Sequence, residues 1–457
     1  MYFFNFRQHD AADMGKINYF SQNIDQIKQF SVKILTKNIR FINIMLQYYL
    51  MEDFIKQILQ AQSRLADSLP QTKRYFYYSL KEELKKKPPL IVGIAGLRGV
   101  GKTISLLQNI SEEGAFLRAD DIGFRKYSLK DVVSYFYSNY NKKIFFIDEV
   151  HMYEKWEQEI KGLHDDYPDI KLVLSGSSSI KLRFSGADLS RRMKIIDAEP
   201  MFFSEFMEFK TGKKPPLFTL EEIIEKPLEA SIEIEKTYPN IAHVLQEYIR
   251  LGGLPFYFKD PEVPPLIANG IKKMIYSDIP NAIPNLTLKI LNRLEDVILF
   301  LAESPPGEFS YDTISSSIEL SKGSVYELIQ GLKNTGLIDF LKVQSDKSTI
   351  KLRKKVKIYF SHPTLRHAIL KSAGSAENIG AYREEFFFHH LKFSTDSIGY
   401  PKKIGTKEPD FEIRDKGRHY LFEIGKHKEE KKGFINVVDS DKVKYPLYLF
   451  GFIKQHF

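Results

Sequence analysis

Cysteine is absent from this sequence, which excludes a disulfide framework, a thiolate zinc site and a cysteine nucleophile together. Long apolar runs are missing too: none reaches the roughly 18 residues that a membrane-spanning helix needs. The opening MYFFNFRQHD lacks the basic end and continuous apolar stretch of an ordinary secretory signal. Internal repeats and low-complexity tracts are not found. What remains is a 457-residue chain, a length that as a soft prior suggests about three domains. Hydrophobic residues make up 43% and charged residues 27%, so there is material for folded cores and no compositional case for disorder. Sixty-seven Lys+Arg against 58 Asp+Glu leave a net charge of +9. Such mild basicity permits a nucleic-acid partner without demanding one. The expectation is a cytoplasmic, multidomain protein with no membrane partner.

The chain divides by pattern. Residues 1–50 are rich in Phe, Tyr, Ile and Asn, lack a clear period, and end at a second methionine, Met51. Either they form an extra aromatic segment or they are a translated leader ahead of a start near Met51. From Met51, MEDFIKQILQAQSRLADSLP has apolar residues at helical spacing. Between 88 and 180, LIVGIAG, KKIFFID and IKLVLSG read as buried strands with helical segments between them, the mark of a parallel sheet covered by helices. Residues 217–300 are helical in pattern, with EEIIEKPLEASIEIE, IAHVLQEYIRL and LKILNRLEDVILFLAES. Residues 309–345 read helix, turn, helix, strand. Beyond 355, strands return around one helix as a small α/β unit.

One motif is strong. Gly96-Leu97-Arg98-Gly99-Val100-Gly101-Lys102-Thr103 fits GxxxxGK[ST], with an apolar strand before it and a helix-like stretch from Ile104 after it. Glycines let such a loop wrap a phosphate so that backbone N–H groups point inward at a helix N-terminus. Gly96, Arg98, Gly99, Val100, Gly101, Lys102, Thr103 and Ile104 are therefore expected to bind nucleotide. Lys102 would reach the β/γ-phosphates and Thr103 would bind Mg²⁺. Ile144–Ile147 forms an apolar strand ending in Asp148-Glu149. Asp148 can hold Mg²⁺, and Glu149 can orient or deprotonate the attacking water. No NKxD element is present to specify guanine, so the cofactors expected are ATP and Mg²⁺.

Ser175 ends the third strand, with Ser177 and Ser178 just beyond. It would sense a γ-phosphate or position water, or else belongs to an ordinary Ser/Gly loop. Arg191 and Arg192 follow in DLSRR. One of them delivered to a γ-phosphate, in cis or from a neighbouring subunit, would stabilise transition-state charge; the alternative is two surface arginines. Self-association stays open on this account.

The strings IDEVHMYEKWEQEIKGLHDDYPDIKLVLSGSSSIKL, DLSRR, EPMFFSEFMEF, YIRLGGLPFYF and IYSDI together resemble the AAA-related P-loop proteins often called archaeal ATPases. The likeness covers roughly residues 51–440. It implies a P-loop domain, a helical region, a winged helix and a domain similar to restriction endonucleases. It also implies Lys102 and Thr103 on phosphate and Mg²⁺, Asp148 on Mg²⁺ and Glu149 as base. The family usually has Gly-Arg where this chain has Ser190-Arg191-Arg192. The expected map is a leader at 1–50, the ATPase domain at 51–215, a helical region at 216–300, a winged helix at 301–358 and a nuclease-like domain at 359–457. The fold class is α/β.

Within Phe309–Leu341, a helix around Tyr311–Ile318, a turn at Leu320-Ser321-Lys322 and a second helix from Gly323 to Leu332 have helix-turn-helix spacing. The second helix offers few polar groups to base edges. Lys351, Arg353, Lys355 and Lys357 alternate along a strand and share a face, a row of cations that can track DNA phosphates or guard a sheet edge.

Farther on, Glu384, Asp410 and Glu423 resemble the acids of a PD-(D/E)xK nuclease core and imply a second Mg²⁺ site. The lysine of that pattern does not match: Gly425 stands in its place and Lys426 one later. A bulge at Gly425 would bring Lys426 back; otherwise the metal ligands lack their cation. The reading is an ATPase that engages DNA through its C-terminal half. The alternative is an ATP-operated switch on a protein partner, with an inactive nuclease-like domain.

Overall fold

The computed structural model describes residues 39–176, 189, 191–260, 262–282, 288–344, 356–401, 409–425, 434–440 and 443–456. Its centre is a five-stranded, wholly parallel sheet of β1 (Ile91–Ala95), β2 (Gly114–Arg118), β3 (Ile144–Asp148), β4 (Lys171–Gly176) and β5 (Met193–Asp197), ordered β2-β3-β4-β1-β5. The three apolar runs singled out in the sequence are the adjacent strands β3, β4 and β1; β2 and β5 flank them.

Successive side chains point to opposite faces of a strand, and the core divides accordingly. Val92, Ile94, Phe116, Phe146 and Val173 fall in one apolar cluster; Ile91, Ala115, Leu117, Phe145, Ile147, Leu172 and Leu174 fall in the other. Helices cover both. On the first face lie α2 (Tyr75–Glu83) and α3 (Lys102–Gln108). On the second lie α1 (Ile39–Ala66), α4 (Leu129–Tyr140) and α5 (Trp156–Asp166). Helix α1 runs through Met51 without a break.

The helical region comprises α6 (Phe203–Thr211), α7 (Leu220–Glu225), α8 (Pro227–Thr237), α9 (Ile241–Leu251), α10 (Val263–Lys273), one turn of π-helix at Met274–Asp278 and α11 (Leu288–Glu303). The EEIIEKPLEASIEIE stretch is two helices because Pro227 cannot supply the N–H that a continuing helix needs. Next come α12 (Tyr311–Ile318) and α13 (Lys322–Thr335), the latter capped by Ser321 Oγ accepting from the Ser324 N–H at 3.1 Å. A small antiparallel sheet follows, ordered β6 (Glu308–Phe309), β8 (Val356–Phe360), β7 (Ile338–Lys342).

Two helices, α14 (Pro363–Ala373) and α15 (Ile379–Leu391), precede the last sheet, not the single one expected. That sheet runs β12 (Ile435–Val438), β11 (Arg418–Gly425), β10 (Phe411–Asp415), β9 (Ser397–Gly399); β9, β10 and β11 are antiparallel and β12 is parallel to β11. Nor is this end a detached unit. Fully buried Arg366 on α14 pairs with Glu385 on α15 at 2.8 Å and donates to the carbonyls of Leu301, Ala302 and Ser304 at the end of α11. One apolar cluster continues from the first face of the large sheet to Phe387, Phe411 and Phe422.

Candidate nucleotide site

The phosphate loop leaves β1 at Ala95 and enters α3 at Lys102. Gly99 and Gly101 hold φ of +88° and +98°, a region that L side chains avoid and that turns successive N–H groups to one side. Gly96 has a steric reason: a Cβ there would come 2.1 Å from the Ala198 carbonyl oxygen. Lys102 Nζ donates to the Gly96 and Leu97 carbonyls at 2.8 and 3.0 Å. Burial pulls its pKa down to about 8, against the raising effect of Glu149 and Asp148. A desolvated ammonium bound to its own loop is matched to a phosphate that would replace those carbonyls.

Asp148, at the end of β3, gathers two hydroxyls. Thr103 Oγ1 donates to its Oδ2 at 2.7 Å, and Ser175 Oγ, fully buried at the end of β4, donates to its Oδ1. Glu149 holds a left-handed conformation (φ +50°) and brings Oε2 within 3.3 Å of His151 Nδ1. The sequence-predicted residues Lys102, Thr103, Asp148, Glu149 and Ser175 are thus together; Ser177 and Ser178 lie outside the described residues. A hydroxyl and a carboxylate side by side beside a phosphate loop are the donor set a Mg²⁺–nucleotide complex takes, so the residues present fit that group.

Several residues of the site had no signal of their own in the sequence. Arg74, just before α2, is 4% exposed. It donates to the Val100 carbonyl of the loop, to the Glu199 carbonyl at 2.8 Å, and to both oxygens of Glu205 at 3.1 and 3.3 Å. Arg98 reaches Asp278 on the π-helical turn at 3.5 Å. Leu254, Pro255 and Phe256 lie over the glycines, so close that a Cβ at Gly99 would meet the Phe256 ring at 2.9 Å.

Arg191 and Arg192 are a correction to the cis reading. The Arg192 carbonyl accepts from the N–H of Ile91, the first residue of β1, and its Nε lies 3.4 Å from Asp165. Both arginines therefore sit at the end of the sheet opposite the phosphate loop, and neither serves its own site.

The C-terminal acids do not close into one group of three. Glu384 on α15 accepts from Tyr359 OH at 2.9 Å. Burial, reinforced by Asp410, pushes its pKa up to about 8, against the pull of Lys357. Asp410 accepts from the Ile424 N–H at 2.8 Å. Phe422 packs on Phe387 of α15 with ring centroids 5.0 Å apart, so alternation turns Glu423 to the other face. Among the described residues no three acids or histidines form a metal-binding group, which corrects the expected triad of Glu384, Asp410 and Glu423. Lys357 is half-buried in β8, its Nζ 5.5 Å from the Tyr400 ring centre; Lys351, Arg353, Lys355 and Lys426 lie outside the described residues. No described helix is long and apolar enough to cross a membrane.

Comparison with known proteins agrees with this geometry. Residues 88–207 match the family model described as an AAA domain, and residues 242–376 match a domain of unknown function, DUF8612. The region of the parallel sheet and phosphate loop is therefore similar to AAA domains. The uncharacterized protein MJ1637 of Methanocaldococcus jannaschii is 27% identical over 370 residues, covering 73% of this chain and 76% of the relative. MJ1544 of the same organism is 26% identical over 200 residues, covering 42% of this chain and 41% of its own. Among solved structures, the Walker-type ATPase PABY2304 of Pyrococcus abyssi aligns with a TM-score of 0.40 at 15% identity, over 66% of this chain and 99% of that one.

Proposed function

We propose that the chain is a Mg²⁺-dependent ATP phosphohydrolase whose nucleotide state governs how its C-terminal half engages DNA. The observation that carries the first part is the convergence of Thr103 and Ser175 on the two oxygens of Asp148, beside Lys102 on its glycine loop. Lys102 and the loop amides would bind the phosphates, Thr103 and Asp148 would hold the metal, and Glu149, steadied by His151, would take the proton of the attacking water. Bound Mg²⁺ would supply neutralisation of the phosphate charge. Arg191 and Arg192 are left to meet the phosphates of a second copy, if of any.

Support for DNA comes from the order α12, turn, α13, then the paired strands β7 and β8, which is similar to that of a winged helix. The last unit, with α15 ahead of three antiparallel strands and a parallel fourth, is similar in order to a restriction-endonuclease core. With no described group of three acids to hold a metal and with Gly425 where the pattern has its lysine, it would serve as a docking platform. One observation favours a protein partner instead: Lys322, the first cation of α13, is paired with Asp312, and Tyr326 beside it is 52% exposed.

The test is ATP turnover with Mg²⁺, without and with single-stranded, duplex and branched DNA, using Glu149→Gln as blank. Stimulation by one DNA form supports the reading. Turnover indifferent to all of them overturns the DNA part and turns the search to proteins; turnover equal to the blank overturns the hydrolytic part.

A further inference from the structure

Lys392 follows α15 and sits where three parts of the chain meet. Its Nζ donates to Glu199 Oε2 at 2.7 Å and to Asp339 Oδ2 at 2.6 Å. Glu199 lies just beyond β5 of the ATPase sheet; Asp339 is on β7, directly after the helix-turn-helix. The ammonium side chain is 10% exposed and the two carboxylate side chains 17% and 30%. Burial opposes its charge, but Asp339 and Glu199 outweigh burial and hold the pKa above its ordinary value. A single cation thus bridges two carboxylates contributed by different units.

This bridge reaches the phosphate loop by two routes. Through the backbone, the Glu199 carbonyl shares Arg74 with the Val100 carbonyl of the loop. Through space, the loop faces the turn that ends α13: a Cβ on Gly336 would lie 3.8 Å from the Leu97 nitrogen. Between them is a cavity of about 360 Å³ whose lining includes Gly96, Leu97, Glu199, Lys333, Asp339 and Lys392. Gly96 and Leu97 are also the residues whose carbonyls hold Lys102. A phosphate that draws Lys102 away releases those carbonyls at the wall of this cavity. Such a release would give the loop a second arrangement, and the neighbour of that end is the turn after α13.

We propose that Glu199, Lys392 and Asp339 form an ionic hinge that couples occupation of the phosphate loop to the placement of α13, β7 and the end of α15. Glu199 is the fixed end, tied to the loop through Arg74. Asp339 is the moved end, and Lys392 is the pivot that keeps them in register. The inference rests on the nucleotide-binding reading of residues 96–103 and on nothing about DNA. Coupling of this kind requires a two-state element that both sites bias; Lys102, moving between the loop carbonyls and a bound phosphate, would be that element.

The experiment is hydrogen–deuterium exchange on the full chain, with and without Mg²⁺ and a non-hydrolysable ATP analogue, reading the amides of residues 333–342 and 388–395. Nucleotide affinity is measured separately. Removing Lys392 alone leaves two half-buried carboxylates facing each other without their cation, so the variant used is the triple Glu199→Gln, Asp339→Asn, Lys392→Met, with its fold checked by circular dichroism. The wild type is expected to change exchange at both segments by about fivefold or more on binding the analogue. The triple variant is expected to bind the analogue and lose that change. An unchanged wild type that binds the analogue, or a variant that responds like it, overturns the hinge. Failure of the wild type to bind the analogue overturns the phosphate-site reading, and the hinge with it.

Discussion

Arg74 gives the sharpest energetic test of how the phosphate loop is held. It is almost wholly buried, and its partner Glu205 is committed too, accepting from the N–H groups of Tyr75 and Phe202 at 2.8 and 3.0 Å. Replacing Arg74 by Met leaves the Glu205 charge without its cation and the Val100 and Glu199 carbonyls without a donor. Breaking a buried ion pair from one side costs about 3–5 kcal/mol. For a unit of 150–250 residues each kcal/mol moves Tm by about 2–4 °C, so Arg74→Met should lower the ATPase unit's transition by roughly 6–20 °C. Nucleotide affinity should fall with it, because Val100 lies inside the loop. The double variant Arg74→Met, Glu205→Gln removes both charges and should be no less stable than Arg74→Met alone, a coupling of about 2 kcal/mol. The assay is thermal unfolding of the full chain followed through nucleotide-dependent fluorescence, with all four members of the cycle side by side. A Tm loss under about 2 °C for the single variant would refute the clamp, and strict additivity in the cycle would refute the pairing.

Two further predictions concern the chemistry. Lys102 is charged at neutral pH at a cost set by burial, because its pKa lies near 8 against an ordinary 10.5. That cost is fully present below about 8 and relieved as pH rises towards 10.5, so Lys102 should add a rise in stability over that window which Lys102→Met abolishes. Phosphate favours the charged form, so ATP affinity should fall above pH 8 with uptake of up to one proton; calorimetry in buffers of different ionisation enthalpy reads it, and a flat profile from pH 7 to 9.5 would contradict it. Ser175→Ala removes a hydrogen bond to a buried carboxylate worth about 1.5–3 kcal/mol. If Asp148 needs that bond in the transition state, kcat falls about 10- to 150-fold with KM little changed; a kcat within twofold would reduce Ser175 to packing.

The parts legible in the sequence are those whose physics is local. Strands β1, β3 and β4 were readable because a parallel strand buried on both faces is continuously apolar. The helix Tyr311–Ile318 was readable because its apolar residues keep the helical period; the left-handed turn at Glu319 that ends it carried no such signal. The P-loop was readable because its glycines, lysine and threonine act within eight consecutive positions. Arg74 was not, since it meets Glu205 across 131 residues, nor was Asp278, which meets Arg98 across 180. The strings EPMFFSEFMEF, YIRLGGLPFYF and IYSDI carried a resemblance, but their chemistry appears only in space: Glu199, Glu205, Pro255, Phe256 and Asp278 all surround the phosphate loop. Arg191 and Arg192 failed in the opposite sense. Arginines shortly after a sensor-like strand suit a finger, but the chain returns from β4 to the start of β5, which places them at the far end of the sheet.

The same contacts say which part of the loop is free to respond. Val100 is pinned by an arginine that has four other polar contacts, to Glu199, Glu205 and the helix start around it. Arg98 has a weaker tie to the helical region: the contact to Asp278 is 3.5 Å, long for an ion pair, and the Asp278 Oδ2 has no hydrogen-bond partner among the described residues although it is buried. The loop is therefore tied closely at Val100 and by a longer contact at Arg98. The carbonyls of Gly96 and Leu97 hold Lys102 and the Leu97 amide abuts Gly336, so the proposed hinge depends on this end of the loop rather than on the end held by Arg74.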